Sequence, residues 1–136
     1  MAESFNNFIA IGITGTEKTI IPSGVAGRNT SLVGTASNQG TNVRTVGSTV
    51  LVNGLYLTGN KADTEYVVSL MIRDDNYSSR PIYILNNIPI PANNSFFLER
   101  AITLLPNQYL TFIMPANKNT ANEVVHATAS SIEVID

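Results

Sequence analysis

The sequence predicts an all-β fold, an antiparallel β-sandwich or jelly roll of about seven to nine strands. Apolar and polar residues alternate with period two along most of the chain, and no stretch shows a helical period. Pro, Gly and Asn separate the alternating runs at fairly even intervals, as turns do between short strands. The 136 residues, 43% of them hydrophobic, suffice for one domain with a core, which we place at 1–136.

The first two strands are predicted at 8–14 and 18–21. The strand 8–14 places isoleucines on one face and small residues on the other, and these are Ile9, Ile11 and Ile13 against Ala10 and Gly12. A turn at Gly15 leads to the strand 18–21, which ends before Pro22 because proline has no N–H for the ladder.

Residues 24–48 form a long segment that is rich in Gly, Ser, Thr and Asn. A connection of this length is unusual in a compact domain and is commonly functional. It has room for one or two short edge strands, around 32–33 or 43–46. The strand 49–58 that follows is apolar on both faces, which is typical of a central strand. Inside it, Asn53-Gly54 fits a hairpin turn or a bulge, and we favour the bulge.

The second half of the chain shows the clearest alternation, at 65–73. One face of this strand carries large apolar side chains, which are Tyr66, Val68, Leu70 and Ile72. Asp74-Asp75-Asn76 then breaks the strand, because Asx residues favour turns. Further strands are predicted at 82–85, 95–100, 109–114 and 124–135.

The composition argues against several functional classes. Charged residues make up 13% of the chain, about half the ~25% of an average soluble domain, and low charge suits a protein within an assembly. The eight Lys and Arg are dispersed and the net charge is −2, so we expect no nucleic-acid partner. Cysteine is absent, which removes disulfides and a thiol nucleophile. Because no signal peptide or membrane-spanning run is present, we expect synthesis in the cytoplasm and no membrane partner.

Three groups of residues were weighed as chemical sites. His126, the only histidine, lies in an alternating strand without the strained elbow of a nucleophile. The stretch 12–19 resembles a phosphate loop, but Glu17 replaces the glycine that should precede Lys18, and a strand follows instead of a helix. The tripeptide 74–76 lacks the spaced carboxylates of a calcium loop. We therefore predict no catalytic, cofactor-binding or metal-binding residues, and a protein that is not an enzyme.

We therefore expect the protein to function through contacts with other protein chains. The uncharged loops and the segment 24–48 are the regions in which we expect those contacts. The candidate interface residues are charged side chains in the segment 24–48 and in the connection after the strand 65–73, namely Arg28, Arg44, Asp74, Asp75 and Arg80.

A series of segments in the second half carries a family resemblance: 52–58, 65–72, 84–98, 104–110 and 127–133. Its most specific element is Ile90-Pro91-Ala92-Asn93-Asn94-Ser95, and its last strand contains Ser130-Ser131-Ile132-Glu133. This series resembles small β-sandwich virion proteins of tailed bacteriophages, of the kind common in marine and cyanobacterial phages. The resemblance covers roughly residues 50–135, with Asn107-Gln108 standing where the family usually has Gly-Asp.

The resemblance implies a non-enzymatic structural component of a virion, without a cofactor. Such a protein would work as a homo-oligomeric adaptor or appendage in the neck, tail or baseplate. Its partners would be copies of itself and other virion proteins, joined through sheet edges and loops. Two alternatives stay open: a capsid decoration protein, and a carbohydrate-binding module that contacts the host surface.

Overall fold

The structure is a computed structural model that describes residues 2–33, 40–59, 65–77, 79–92, 94–119 and 124–135. Positions 34–39 of the long segment and Asn93 of the family-like motif lie outside these ranges. The described residues form eleven strands and no helix, so none of them belongs to a helix able to cross a membrane. The strands are β1 (Ala2–Ile13), β2 (Lys18–Ile21), β3 (Thr30–Val33), β4 (Gly40–Val43), β5 (Thr49–Gly59), β6 (Tyr66–Asp74), β7 (Ile82–Ile90), β8 (Ser95–Leu98), β9 (Ile102–Leu104), β10 (Gln108–Ile113) and β11 (Val124–Ile135).

Two antiparallel sheets form the sandwich. The first sheet has the order β1-β11-β5-β8, and β9 pairs with the other half of β5 on the same side as β8. The second sheet has the order β2-β10-β6-β7, and β3 and β4 form a separate hairpin within the segment 24–48. The predicted all-β sandwich is confirmed. The described strands number eleven rather than about seven to nine, since short strands such as β4 and β9 carry little alternation of their own.

The core lies between the two sheets. The first sheet contributes residues such as Phe8, Leu57 and Val125, and the second contributes residues such as Leu70 and Phe112. The predicted inward face of β6 is confirmed, because the four alternating side chains pack in or against this core: Tyr66, Val68, Leu70 and Ile72.

The first strand turns its small residues inward and its isoleucines outward. Ala10 and Gly12 are buried, whereas Ile9 and Ile13 are exposed by more than two-fifths of their surface. Gly12 is required by a close approach, since a Cβ atom there would lie 2.5 Å from Cζ of Phe112. The inward face of β1, which also carries the core residue Phe8, therefore leaves space for the Phe112 ring at Gly12.

Two local predictions can be compared with the strand register. The register of β5 against β11 shifts at Asn53, with Gly54 opposite Ser130 and Val52 opposite Ser131, so the favoured bulge is confirmed. The first strand begins at Ala2 rather than at position 8, because β11 continues alongside it as far as Ile135. The polar stretch 2–7 shows little alternation of apolar and polar residues, so its strand conformation depends on the hydrogen bonds with β11.

Candidate assembly surfaces

The outer side of the first sheet carries large exposed apolar side chains among polar ones such as Asn7 and Ser130, and we call it the apolar face. It presents six large side chains whose exposed fractions run from 38% for Leu51 to 87% for Phe5; these are Phe5, Ile9, Ile13, Leu51, Tyr56 and Phe97. The register aligns Ile9, Thr128, Tyr56 and Phe97 in one row across four strands. The solvent-facing side of an antiparallel sheet normally carries polar residues. Because this face carries large apolar side chains instead, it is suited to contact with another protein.

The apolar face is almost free of charge. The described strands of the first sheet contain two acidic residues and no Lys or Arg, and of the acidic residues Glu133 points into the interior while Glu3 lies on the face. The rings of Tyr56 and Phe97 pack with their centroids 4.7 Å apart, which gives the face an aromatic pair at its far side.

The side-chain amides of two asparagines form hydrogen bonds with backbone groups at positions where a strand has no neighbouring strand. Beyond β1, the side chain of Asn42 accepts a hydrogen bond from the Ile9 N–H at 3.2 Å and donates to the Ile9 carbonyl. The same amide donates to the Ile20 carbonyl on β2 at 3.0 Å, so it joins the edges of the two sheets. On β6, Asn119 accepts from the Val67 N–H at 2.8 Å and donates to the Val67 carbonyl at 2.9 Å. Each carboxamide thus replaces one residue of a missing strand.

Three of the five predicted interface residues lie together at one end of the second sheet. Nη1 of Arg28 lies 3.0 Å from Oδ1 of Asp75, and Asp75 also accepts a hydrogen bond from Oγ of Ser23. Asp74 accepts from the side-chain amide of Asn107 at 3.0 Å. Arg28 is largely exposed, so this cluster is accessible to a partner.

The other two predicted interface residues have different surroundings. Arg80 is exposed in the connection between β6 and β7, where its N–H donates to the Tyr77 carbonyl. Arg44 is fully buried, which differs from the prediction that it contacts a partner. Its guanidinium donates to the chain itself, to the carbonyls of Pro22, Ser48, Leu104, Leu105 and Gln108. Burial lowers the pKa of Arg44 to about 10, while the charges of Glu133 and Asp75 raise it.

Glu133 is the acidic counterpart of Arg44. Oε1 of Glu133 accepts from the Thr45 N–H at 2.8 Å and from Oγ of Ser48 at 3.4 Å. Nε of Arg44 donates to the same Ser48 hydroxyl at 3.2 Å, so one serine links the two charges. Sequence reasoning placed Glu133 in a family-like strand but assigned it no role. Its inward position in the alternation of β11 was the available signal.

A second ion pair lies on the second sheet. Glu17 binds Arg73 in a bidentate way, with Nε to Oε2 at 2.6 Å and Nη2 to Oε1 at 2.9 Å. This hydrogen bonding raises the pKa of Arg73, against the opposing effect of burial. Glu17 therefore acts as a structural partner of Arg73, at the position where a phosphate loop would require glycine.

The residues considered as candidate chemical sites lie in strands and turns of the sandwich. His126 is exposed on the outer side of the first sheet, between Ile11 and Thr58. The stretch 12–19 runs from β1 through a turn at Gly15, where φ is +86°, into β2. Within the described residues, no group of three or more His, Cys, Asp or Glu is placed to hold a metal ion.

Among the described residues, one polar and one apolar cavity open at the surface. A polar cavity of about 290 Å³ adjoins the Arg28–Asp75 pair and is lined by Thr19, Pro22, Ser23, Arg28, Thr30, Ser31, Asp75 and Tyr109. Oγ of Ser31 is buried there without a hydrogen-bond partner, and burial raises the pKa of Tyr109. An apolar cavity of about 480 Å³ lies on the opposite open side of the sandwich, lined by residues from β6 to β9 such as Ile84, Leu85 and Ile102.

Comparisons with known proteins give no family. No family model matches the chain, and no curated protein does. Among solved structures, the chain is similar to a subunit of Bacillus endospore appendages, described as disulfide-linked pili, with 8% identity, coverage of 100% of this chain and 93% of that chain, and a TM-score of 0.43. It is also similar to the Drosophila NLP-core, studied for pentamer formation and histone binding, with 14% identity, coverage of 99% and 100%, and a TM-score of 0.42. We draw nothing about function from either likeness.

Proposed function

We propose that the chain is a non-enzymatic structural subunit that associates with copies of itself, as a component of a tailed-phage virion. The observation that supports this proposal is the apolar face, with its large exposed side chains and a single acidic residue. A monomer that keeps such a face in water exposes six large apolar side chains on one side of a sheet, and large exposed apolar surfaces commonly mark interaction sites.

The size of the apolar face suits a stable interface. Four strands at about 4.8 Å spacing make it about 19 Å wide, and the length of β1 at about 3.4 Å per residue makes it about 40 Å long. The product is about 750 Å², close to the roughly 800 Å² that each partner contributes to a standard interface. The low charge adds no repulsion between copies.

The virion assignment rests on the resemblance of residues 50–135. In that setting the chain would be an adaptor or appendage of the neck, tail or baseplate, with other virion proteins as its further partners. Capsid decoration is the alternative within the same class. Quantitative mass spectrometry of purified particles would separate the two: a few copies per particle favour the tail machinery, and a copy number similar to that of the shell protein favours decoration. Absence from purified particles would contradict both.

Self-association is tested with two matched tyrosine variants. Tyr56→Lys places a charge within the apolar face, whereas Tyr83→Lys places one at an equally exposed position on β7 of the second sheet. Light scattering during size exclusion should show an oligomer for the wild type and Tyr83→Lys, and a smaller species for Tyr56→Lys. A monomeric wild type at the highest soluble concentration would refute the proposal.

A second candidate function is supported by the polar cavity. Hydroxyl groups, the Arg28–Asp75 pair and the ring of Tyr109 line it, and the free Ser31 hydroxyl lacks a partner. A charge-balanced, hydroxyl-lined cavity of this size suits a neutral sugar ring. Ligand-observed NMR with neutral monosaccharides should then show binding that Arg28→Ala abolishes and that the distant Ser130→Ala retains. No binding across the sugars would exclude this function.

A further inference from the structure

One segment of the first sheet has an open edge. Because Asn42 pairs with both backbone groups of Ile9 on the side away from β11, Ile9 turns its N–H and C=O to the outer edge of β1. The register of β1 with β11 has no bulge, so every second residue does the same. Glu3, Phe5 and Asn7 therefore direct their N–H and C=O groups outward, and no described strand pairs with them there.

The other edges of the sandwich carry features that hinder pairing. The β7 edge contains Pro89 and Asn87, whose φ is +52°, and its register against β6 shifts twice. The edge formed by β8 and β9 is interrupted between the two short strands, and β2 has four residues followed by Pro22. These are the devices by which proteins prevent association through edges.

The segment 3–7 has none of these protections. It contains no Pro, no Lys and no bulge, and Phe5 at its centre is 87% exposed. Toward the C-terminal end of β1, β4 borders this edge, and Asn42 occupies the backbone groups of Ile9. The Val43 carbonyl accepts a hydrogen bond from the side-chain amide of Asn6 at 3.1 Å, which leaves the backbone groups of Asn7 unpaired among the described residues. The open part therefore has three outward-facing residues, with a large apolar side chain in the middle.

We infer that this segment pairs with the same segment of a second copy, antiparallel, about a two-fold axis at Phe5. In this register Phe5 lies opposite Phe5 of the second copy, and Glu3 lies opposite its Asn7. Each of the three pairs forms two hydrogen bonds, because all three residues present both backbone groups to the edge. A register centred nearer Ile9 is blocked by Asn42, and one centred at Glu3 would place the two Glu3 carboxylates opposite each other.

The segment is self-complementary, which selects a second copy as the occupant. The only charge, Glu3, faces a neutral amide rather than a like charge, and the two Phe5 rings pack across the axis. Pairing joins the two first sheets, so their apolar faces become one continuous surface. The inference rests on the proposed self-association and adds a second contact to it: an isologous contact through an edge strand, which joins the two apolar faces side by side and leaves them free to pack against further copies.

Single-cysteine variants test the register, since the chain has no cysteine of its own. Hydrogen-bonded antiparallel partners lie about 5.5 Å apart at Cα, within the range that a disulfide spans. Phe5→Cys should therefore form a disulfide-linked dimer under mild oxidation. Ile9→Cys lies on the same face of the strand, but its two copies would be about 27 Å apart along the strands, so it should stay uncrosslinked. A mixture of Glu3→Cys and Asn7→Cys should crosslink, whereas each alone should not.

A proline tests the edge hydrogen bonds in the protein without cysteine. The Asn7 N–H points outward, so Asn7→Pro removes an edge donor and leaves the ladder with β11 in place, whereas Asn7→Ala keeps that donor. Asn7→Pro should raise the dissociation constant about tenfold or more, and Asn7→Ala should change it little. An oligomeric wild type with equal crosslinking at Phe5→Cys and Ile9→Cys, and with no effect of Asn7→Pro, would overturn the edge geometry alone. A monomeric wild type would overturn the proposed self-association as well.

Discussion

Replacing Arg44 by methionine should destabilise the fold more than any exposed charge change. Arg44 is fully buried, and its guanidinium donates to five backbone carbonyls at distances from 2.6 to 3.4 Å. These carbonyls belong to separate connections: one follows β2, one precedes β5, two lie at the end of β9, and one begins β10. A methionine of similar length fills part of the volume but satisfies none of these acceptors, and it leaves Glu133 without its nearby cation.

The expected loss follows from the charge and from the carbonyls together. Removing one partner of a buried charge pair costs about 3–5 kcal/mol, and several acceptors left unpaired favour at least the middle of this range. We take about 4 kcal/mol as the expected loss in the free energy of unfolding. With an unfolding entropy of about 2.1 cal/mol/K per residue over 136 residues, this corresponds to a decrease of about 14 °C in Tm.

Thermal and urea denaturation, followed by circular dichroism, measure this loss. Arg28→Met is the matched control, because its ion pair with Asp75 is exposed and should contribute about 1 kcal/mol or less. Arg44→Lys keeps the charge but offers three donors from one point, so an intermediate loss is expected. If Arg44→Met lost no more than Arg28→Met, the proposed role of Arg44 in joining these loops would be refuted.

Three further predictions concern other contacts. Gly12→Ala should cost about 1–3 kcal/mol in a denaturation experiment, because the added Cβ lies 2.5 Å from the buried Phe112 ring; an unchanged Tm would contradict that close approach. Asn119→Ala should increase the hydrogen-exchange rate of the Val67 amide while distant core amides keep theirs; continued protection at Val67 would contradict the strand-replacing role of Asn119. Burial raises the pKa of Tyr109, so the folded state holds this proton more tightly than the unfolded chain, and the resulting stability is present below pH 10 and decreases above it. Tyr109→Phe should therefore show a shallower loss of stability with alkaline pH than the wild type, and identical pH profiles would contradict the prediction.

The strand pattern was predictable where one face of a strand is uniformly apolar. The strand β6 is the clearest case, since its core-facing residues from Tyr66 to Ile72 are large and regularly spaced. For β1 the pattern identified the two faces but did not say which enters the core. The inward face leaves space above Gly12 for the ring of Phe112, a hundred positions away in the chain. The alternation of apolar and polar residues identifies the two faces of a strand, and the packing of the opposite sheet determines which face lies in the core.

The position of Arg44 was beyond sequence reasoning for a related reason. An arginine within a polar segment normally lies at the surface, because burying an unpaired charge is costly. Here the cost is offset by acceptors that lie up to 64 positions from Arg44 in the sequence. No local pattern around Arg44 indicates that these acceptors meet. The exposed Arg28 was easier to place, since a polar segment keeps its charge in water.

The low charge of the chain has a cause in the fold as well as in assembly. Asn42 and Asn119 each pair with both backbone groups of a strand residue, a role that a carboxamide fills because it carries a donor and an acceptor side by side. A carboxylate has no donor and an ammonium has no acceptor, so neither could take this place. Part of the asparagine content therefore closes the edges of the sandwich. Because Asn42 closes the β1 edge only as far as Ile9, the segment 3–7 beyond it is the edge that we expect a second copy to pair with.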